Sequence, residues 1–313
     1  MTRVTARLTA LRERWQRVDP PRQPVLFINP RSGGGKAARA SLAARARERG
    51  VEAVVLGPTD DLAALVAGAV EGGADALGMA GGDGSLATVA AAAAARDLPF
   101  VCLPAGTRNH FALDLGIARH DLVGALDAFA AAVERRIDMA EVNGHPFVNN
   151  VSLGIYGDAV RRSGYRNAKL RTMLDTIDEV LSTTAATPGL RFIDERAHEH
   201  ASPLVVLVSN NAYALDRPLV RGSRPELDAA RLGIVVVDRP GAGGRLVSAW
   251  CAPSVDIAAA ATVAAGLDGE AIELQPPLRF RIRPAALRVR ISHHHPGVSP
   301  AALLTSQREA TIV

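Results

Sequence analysis

The sequence predicts an α/β fold in two parts, a parallel-sheet domain followed by a β-rich domain with inserted helices. Three observations carry this reading. Between residues 25 and 137, short apolar runs alternate with Ala- and Arg-rich stretches of helical character. Glycine-rich turns follow three of those runs. After about Ile137 the pattern changes to hairpin signals and period-two alternation.

In order, Val25–Ile28 reads as a first strand, followed by a Gly-rich turn and a helix from Lys36 to Arg49. Val51–Leu56 is a second strand, with a helix from about Asp60 to Glu71. Ala74–Ala80 is a third, followed by a Gly turn and the helix Leu86–Ala95. Phe100–Leu103 is a fourth, followed by Pro104-Ala105-Gly106-Thr107 and another helix. Strands alternating with helices imply βαβ units, and in such sheets a ligand sits beyond the carboxyl ends of the strands. The three Gly-rich turns fall at those ends.

In the second half, Asn143-Gly144 separates Ile137–Val142 from Pro146–Ser152, a two-residue hairpin signal. Leu204–Ser209 and Leu232–Val237 are further strands. Leu278, Phe280, Ile282, Leu287, Val289 and Ile291 alternate with arginines, as half-buried antiparallel strands do. Stretches 166–185 and 244–252 look helical, and the tail His293–Val313 looks irregular. At the other end, residues 1–22 read as a helix with Leu8, Leu11, Trp15 and Val18 on one face, ringed by arginines and ended by Pro20-Pro21. Such a helix can lie on an anionic bilayer, pack on its own domain, or fray.

Composition narrows the class. Hydrophobic residues make up 48% and charged residues 22%, which is globular; aromatics are only 4%, so Ala, Val and Leu must fill the core. The formal net charge is +4, almost all of it arginine, with Lys36 and Lys169 the only lysines. That excess suits a phosphate-bearing ligand or an anionic membrane surface, and equally an Arg-rich solvated surface. No nucleic-acid recognition signature is present. Cys102 and Cys251 stand far apart with no CxxC or Cys/His cluster, which argues against a disulfide framework or a cysteine zinc site and fits the cytoplasm. No run of ~18 uncharged apolar residues occurs, so membrane contact is expected to be peripheral, on the inner surface. The oligomeric state is open, a homodimer included.

The sharpest motif is Gly81-Gly82-Asp83-Gly84-Ser85, between an apolar strand and a helix. Consecutive glycines let backbone amides approach a polyphosphate, and the helix offers its positive end to the anion. Asp83 can hold a phosphate-bridging Mg²⁺, and Ser85 can cap the helix or bond a phosphate oxygen. Asn29-Pro30-Arg31-Ser32-Gly33-Gly34-Gly35-Lys36 is a second phosphate-friendly turn without Walker A spacing, as compatible with a plain flexible turn. In the third, Leu103 to Phe111, Gly106 and Thr107 could close over a phosphate and Asn109 could reach it or a metal; His110 alone reads as structural. Asp268-Gly269-Glu270 alone would be a turn. Three phosphate-competent turns on one sheet edge plus a carboxylate pair suit phosphoryl transfer, which rests on positioning, metal and electrostatics.

In their order, NPRSGGGK, GGDGS, LPAGTRNHFA, NNVSLGIYGD and LDGE resemble the diacylglycerol kinase catalytic family, and more narrowly its soluble bacterial lipid kinases, which also have sphingosine-kinase-like relatives. GGDG is shared with NAD kinases and phosphofructokinases; PxGTxNxFA and the late DGE are more specific. The likeness runs from about residue 24 to residue 291. It implies a three-layer α/β domain with a parallel sheet and a C-terminal β-sandwich-like domain. The implied organisation is an N-terminal amphipathic extension (1–22), a nucleotide-binding domain (23–137), a β-rich substrate domain (138–286) and a segment returning to the first domain (287–313).

The resemblance further implies ATP and Mg²⁺ as cofactors and a lipid hydroxyl as acceptor, by default diacylglycerol giving phosphatidic acid in phospholipid biosynthesis. Asn29, Pro30, Arg31, Ser32 and Gly33 would line the nucleotide site, with Lys36 beside them. Gly81, Gly82, Gly84 and Ser85 would hold phosphates, Asp83 the metal, Thr107 a phosphate, and Thr59 the nucleotide. Glu270 would be the general base and Asp138 part of the acidic network. The sequence departs from the family at three places. Ser85 stands for threonine, and His110 for the aspartate of TxNDF. The acidic string of a structural Mg²⁺ site is reduced to Asp228-Ala229-Ala230-Arg231-Leu232-Gly233, which argues against that site. Two other readings stand beside the lipid kinase. One is a kinase of a soluble acceptor such as NAD; the other is a non-catalytic lipid or nucleotide sensor.

Overall fold

The structure, a computed structural model, describes residues 12–154, 189–215, 222–238 and 246–309. The chain separates into two compact units, one up to Ile137 and again from Ala285, the other from Asp138 to Pro284.

The first unit is built on a sheet. Its strands are β1 (Gln16–Val18), β2 (Pro24–Ile28), β3 (Glu52–Val55), β4 (Ala76–Ala80), β5 (Pro99–Leu103), the first half of β6 (Ala132–Val142) and, last in sequence, the second half of β17 (Leu278–Ser292). Their order across the sheet is β1-β6-β17-β5-β4-β2-β3. The run from β17 to β3 is parallel throughout, whereas β1 joins β6 antiparallel. Every residue of β2, β4 and β5 is buried, so these strands read as unbroken apolar runs, as strands covered on both faces must.

Leu26, Ile28, Ala76, Ala80, Val101 and Leu103 face one cluster with Leu42, Ala46, Leu126 and Phe129. The α-helices of this unit are α1 (Lys36–Arg39), α2 (Leu42–Arg47), α3 (Leu62–Glu71), α4 (Asp83–Ala95), α5 (His110–Asp114) and α6 (Pro300–Glu309). Helix α4 packs on β4 and β5, burying Leu86, Val89, Ala90 and Ala93. Gly78 of β4 has no side chain because the Phe129 ring occupies that space; a Cβ there would stand 2.5 Å from its Cζ.

Local expectations are corrected in five places. The predicted helix Lys36–Arg49 is broken into α1 and α2 by Ser41, at φ 49°. In an unbroken helix positions 37 and 42 would point about 140° apart; the break lets Ala37 and Leu42 enter the same core. The helix expected over residues 1–22 gives way to a strand at Gln16–Val18, where β6 offers backbone partners. Trp15, one of the apolar stripe, packs on its own unit, one of the alternatives the sequence left open; its Nε1 donates to Gly297 O at 2.8 Å, and Arg135 lies 4.7 Å over the ring. Residues 1–11 lie outside the described residues.

The tail is helical from Pro300, not irregular. Ser299 Oγ accepts from Ala302 N at 3.1 Å, and a serine cap followed by proline at the first helical position is a helix start. The stretch 244–252, expected to be helical, contains the strand Val247–Ala252, because it finds a sheet edge to pair with. Finally, the helix after the GGDG motif begins at Asp83, not Leu86. The predicted helix 166–185 falls outside the described residues.

The second unit is antiparallel. It begins with the remainder of β6, which turns through Asn143-Gly144 (φ 49° and 80°) into β7 (His145–Phe147), the two-residue hairpin expected from Asn-Gly. Then come β8 (Asn150–Gly154), β9 (Arg191–Ile193), β10 (Glu199–Ala201), β11 (Val205–Asn210), β12 (Leu232–Val237), β13 (Val247–Ala252), β14 (Ser254–Ile257), β15 (Val263–Leu267) and β16 (Glu270–Leu274). Six of them form a sheet in the order β13-β12-β11-β8-β15-β16, while β9 and β10 form a separate ribbon. Strand β14 pairs with the first half of β17. Alternate residues of the large sheet, among them Val151, Leu153, Val206, Val208, Ile234 and Val236, share one core with Val142, Phe147, Ile257, Leu278 and Phe280. Two sheet faces around one apolar layer make this unit sandwich-like.

Candidate phosphate-binding edge and acidic turn

Strand β2 lies between β3 and β4, so the chain leaves it in one direction and returns on the other side. That reversal is the switch point of a doubly wound sheet, where the loops at the strand ends part and leave a crevice. The loops here follow β2, β4 and β5, and all three are tied together. Asn29 N donates to Ala80 O at 2.9 Å, and Lys36 Nζ donates to Gly106 O at 2.9 Å. Asn109 Nδ2 donates to Pro104 O at 3.2 Å and to Gly106 O at 3.0 Å.

The glycines are there because these backbones touch. A Cβ on Gly33 would lie 2.3 Å from Ala105 O, and Gly33 is held at φ 56°. A Cβ on Gly106 would lie 3.0 Å from the Cα of Gly82. Gly82, by contrast, faces open space, as a surface presented to a ligand requires. Gly33→Ala therefore meets both a left-handed backbone and a carbonyl, and we expect a loss of about 2–4 kcal/mol in urea unfolding; a loss below about 1 kcal/mol would show that the loops can part freely.

Helix α4 points its N-terminus into this edge. Gly82 is its N-cap, with no side chain bonded to the first-turn amides, and Asp83 stands in the first turn. Ser85 is thus inside the helix and does not cap it, contrary to one sequence reading. Asp83 Oδ1 is buried with no hydrogen-bond partner. Burial first, and the Asp83 carboxylate second, push the Cys102 thiol well above its ordinary value, so Cys102 is a neutral packing group.

The remaining residues of this edge fall as follows. Asn29 is half-buried, and its Oδ1 accepts from Arg31 N at 3.0 Å; Pro30 is half-buried and Arg31 exposed. Ser32 and Gly33 lie in a short 3-10 turn. Thr107 is exposed, and Thr59 is exposed on the loop after β3. Asn109 is buried, and its amide is committed to the loop itself, while its Oδ1 has no partner. His110 is buried with neither ring nitrogen bonded.

The other two predicted residues belong to the second unit. Asp138 is 2% exposed; its Oδ2 accepts from Ala230 N at 2.6 Å, and its N–H donates to Leu227 O at 2.7 Å. It thereby pins the turn that carries Asp228, whose neighbour Arg231 donates to Cys251 O at 2.9 Å. Glu270 is exposed at the start of β16, directly after the two-residue turn Asp268-Gly269 (φ 48° and 95°).

Sequence reasoning missed the network that holds this turn. The buried Asp268 carboxylate accepts from Val148 N and Asn149 N at 2.8 Å and from Asn150 N at 3.0 Å. Arg224, fully buried, donates to Val148 O at 2.7 Å, Asn210 O at 2.6 Å and Asn149 Oδ1 at 3.0 Å. Asn150 Nδ2 donates to Tyr213 Oη at 3.0 Å. The available signal was Asn149-Asn150 and Asn210-Asn211 at the ends of apolar strands, since buried paired amides need partners.

Residues 23–142 match the family model of the diacylglycerol kinase catalytic domain. A diacylglycerol kinase of Mycobacterium tuberculosis is 34% identical over 120 residues, 37% of this chain and 39% of that protein. The match thus spans about two fifths of that relative's length. A Pseudomonas fluorescens protein named "Probable lipid kinase YegS-like" is 29% identical over 307 residues, covering 88% of this chain and 97% of that one. The crystal structure of a diacylglycerol kinase from Bacillus anthracis superposes with a TM-score of 0.62 at 17% identity, covering 88% of this chain and 98% of that chain. That likeness establishes the two-part α/β fold. No helix among the described residues is long and apolar enough to cross a membrane.

Proposed function

We infer, from the match of residues 23–142 to the diacylglycerol kinase catalytic domain model, a lipid kinase that moves the γ-phosphoryl group of ATP to a lipid hydroxyl. Diacylglycerol is the default acceptor. The observation that carries this reading is the helix N-terminus of α4 with the orphaned Asp83 Oδ1, set among glycines at the switch point.

The residues present fit a metal–nucleotide. An unpartnered buried carboxylate oxygen is a ligand in waiting, and open space over Gly82 admits a phosphate to the backbone amides. Asp83 would hold Mg²⁺, which supplies charge neutralisation on the transferred phosphoryl group. The amides of Gly81, Gly82, Gly84 and Ser85 and the Thr107 hydroxyl would bind phosphate oxygens. Residues Asn29 to Gly33, with Thr59, would line the rest of the nucleotide. Lys36 acts at one remove, by fastening Gly106.

Glu270 is the proposed general base. Its carboxylate is exposed, so it can take the proton of an incoming hydroxyl, while its backbone is fixed by the Asp268 turn. Asp138 acts by fixing the 227–230 turn. The lipid is drawn from a membrane surface, which the basic excess of +4 favours; we place the protein in the cytoplasm, peripheral to that surface.

The test is phosphoryl transfer from radiolabelled ATP to vesicles that hold diacylglycerol, monoacylglycerol or a long-chain amino alcohol in an anionic background. Labelled lipid extracted into the organic phase is the expected result. Label on NAD without vesicles would replace the reading with a soluble-acceptor kinase; ATP binding with no product anywhere would replace it with a sensor.

A further inference from the structure

Away from the residues assigned above, the second unit gathers a set of ligating groups. The ribbon β9–β10 closes through residues 194–198, where Asp194 Oδ1 accepts from Arg196 N at 2.8 Å and from His198 N at 2.9 Å. His200 on β10 has a fully buried side chain. Its Nδ1 lies 2.9 Å from Oδ2 of Asp238, the residue after β12, and its Nε2 lies 3.5 Å from Asp194 Oδ2 without a hydrogen bond. Ligand atoms of His198, His200 and Asp238 all fall within 4.8 Å of one another. Phe192 stacks on the His200 ring at 4.8 Å and Trp250 at 5.8 Å, so the imidazole orientation is fixed.

Charge makes this arrangement unusual. Two carboxylates, each side chain only 8% exposed, converge on one imidazole. A divalent cation offsets both charges and leaves each imidazole neutral.

We propose that His198, His200 and Asp238 form a binding site for a divalent first-row metal ion of the Zn²⁺ class, with Asp194 as the outer carboxylate that orients His200. Two imidazoles and one carboxylate are the donor set of Zn²⁺ or Co²⁺, whereas Mg²⁺ and Ca²⁺ prefer oxygen alone. Neighbouring ligand atoms of a tetrahedral Zn²⁺ lie about 3.3 Å apart, close to the 2.9 Å between His200 Nδ1 and Asp238 Oδ2. With an ion held at Nδ1, the ring proton would sit on Nε2, which faces Asp194 at 3.5 Å. His198 is half-buried, which gives the ion a way in and leaves a fourth position for water. A bound ion would clamp the ribbon to the end of β12.

The experiment strips the whole protein with a chelator and titrates Co²⁺, which reports its own geometry by visible absorption. One equivalent with tetrahedral bands is expected, with quenching of Trp250, release by Zn²⁺, and a higher melting temperature. His198→Ala, at the rim, should weaken Co²⁺ at least about a hundredfold, and Asp194→Asn about tenfold. His293→Ala/His294→Ala controls for the exposed histidine run and should leave the site intact. Absence of stoichiometric Co²⁺, octahedral bands, or binding that survives His198→Ala but is lost with the His293/His294 pair would overturn the proposal.

Discussion

Glu270→Gln is expected to lower phosphoryl transfer to vesicle lipid by about 10²–10⁴-fold while leaving the protein as stable as before. The substitution keeps the side chain's size and removes only its ability to take a proton. Glu270 is exposed, and its carboxylate accepts no hydrogen bond among the described residues. Surface changes of that kind stay within about 0.5 kcal/mol. The measurement is turnover at saturating ATP and lipid, together with ATP affinity and urea unfolding. Loss of turnover with unchanged affinity and unfolding marks a group used in the chemical step. Turnover within a few-fold of the parent would remove Glu270 as the base and leave the proton to solvent or to another acid.

Two residues earlier, Asp268→Ala should have the opposite profile. Its carboxylate is 5% exposed and accepts three backbone N–H groups, from Val148, Asn149 and Asn150. Alanine leaves three buried donors without an acceptor. Each costs about 1–3 kcal/mol unless water enters, so a total near 4 kcal/mol is expected, by urea unfolding of the whole chain. Asp268→Asn should fall between, because its amide keeps one acceptor oxygen and turns a donor toward donors. A loss below about 1 kcal/mol for the alanine variant would mean that Arg224 and the asparagines hold the turn unaided.

The parallel sheet was legible because its signal is local. Fully buried strands are short apolar runs, and glycines mark where backbones meet at their ends, so β2, β4 and β5 and the three loops could be placed from residues alone. The Asn143-Gly144 hairpin was legible for the same reason. What was not legible depends on partners distant in sequence. Residues 247–252 are a strand because β12 lies beside them, and Gln16–Val18 because β6 does. Asp268 reads as a turn residue until its three donors, about 120 positions away, are in place. Helix α6 is different: Ser299-Pro300 announced it, and the signal was passed over.

The order of the first sheet has a bearing on how the chain matures. Residues 285–292 sit between β6 and β5, yet they are made only after all of 138–284 has been synthesised. During translation β5 and β6 are each left with one flank bare, so the nascent sheet has an open seam where stray strands can add. Closure waits for a contact nearly 190 residues long in sequence, Pro99 to Arg288. Long-range parallel pairing of this kind is slow and exposed to aggregation, so the interval before residues 285–292 dock is when this sheet is most open to stray partners.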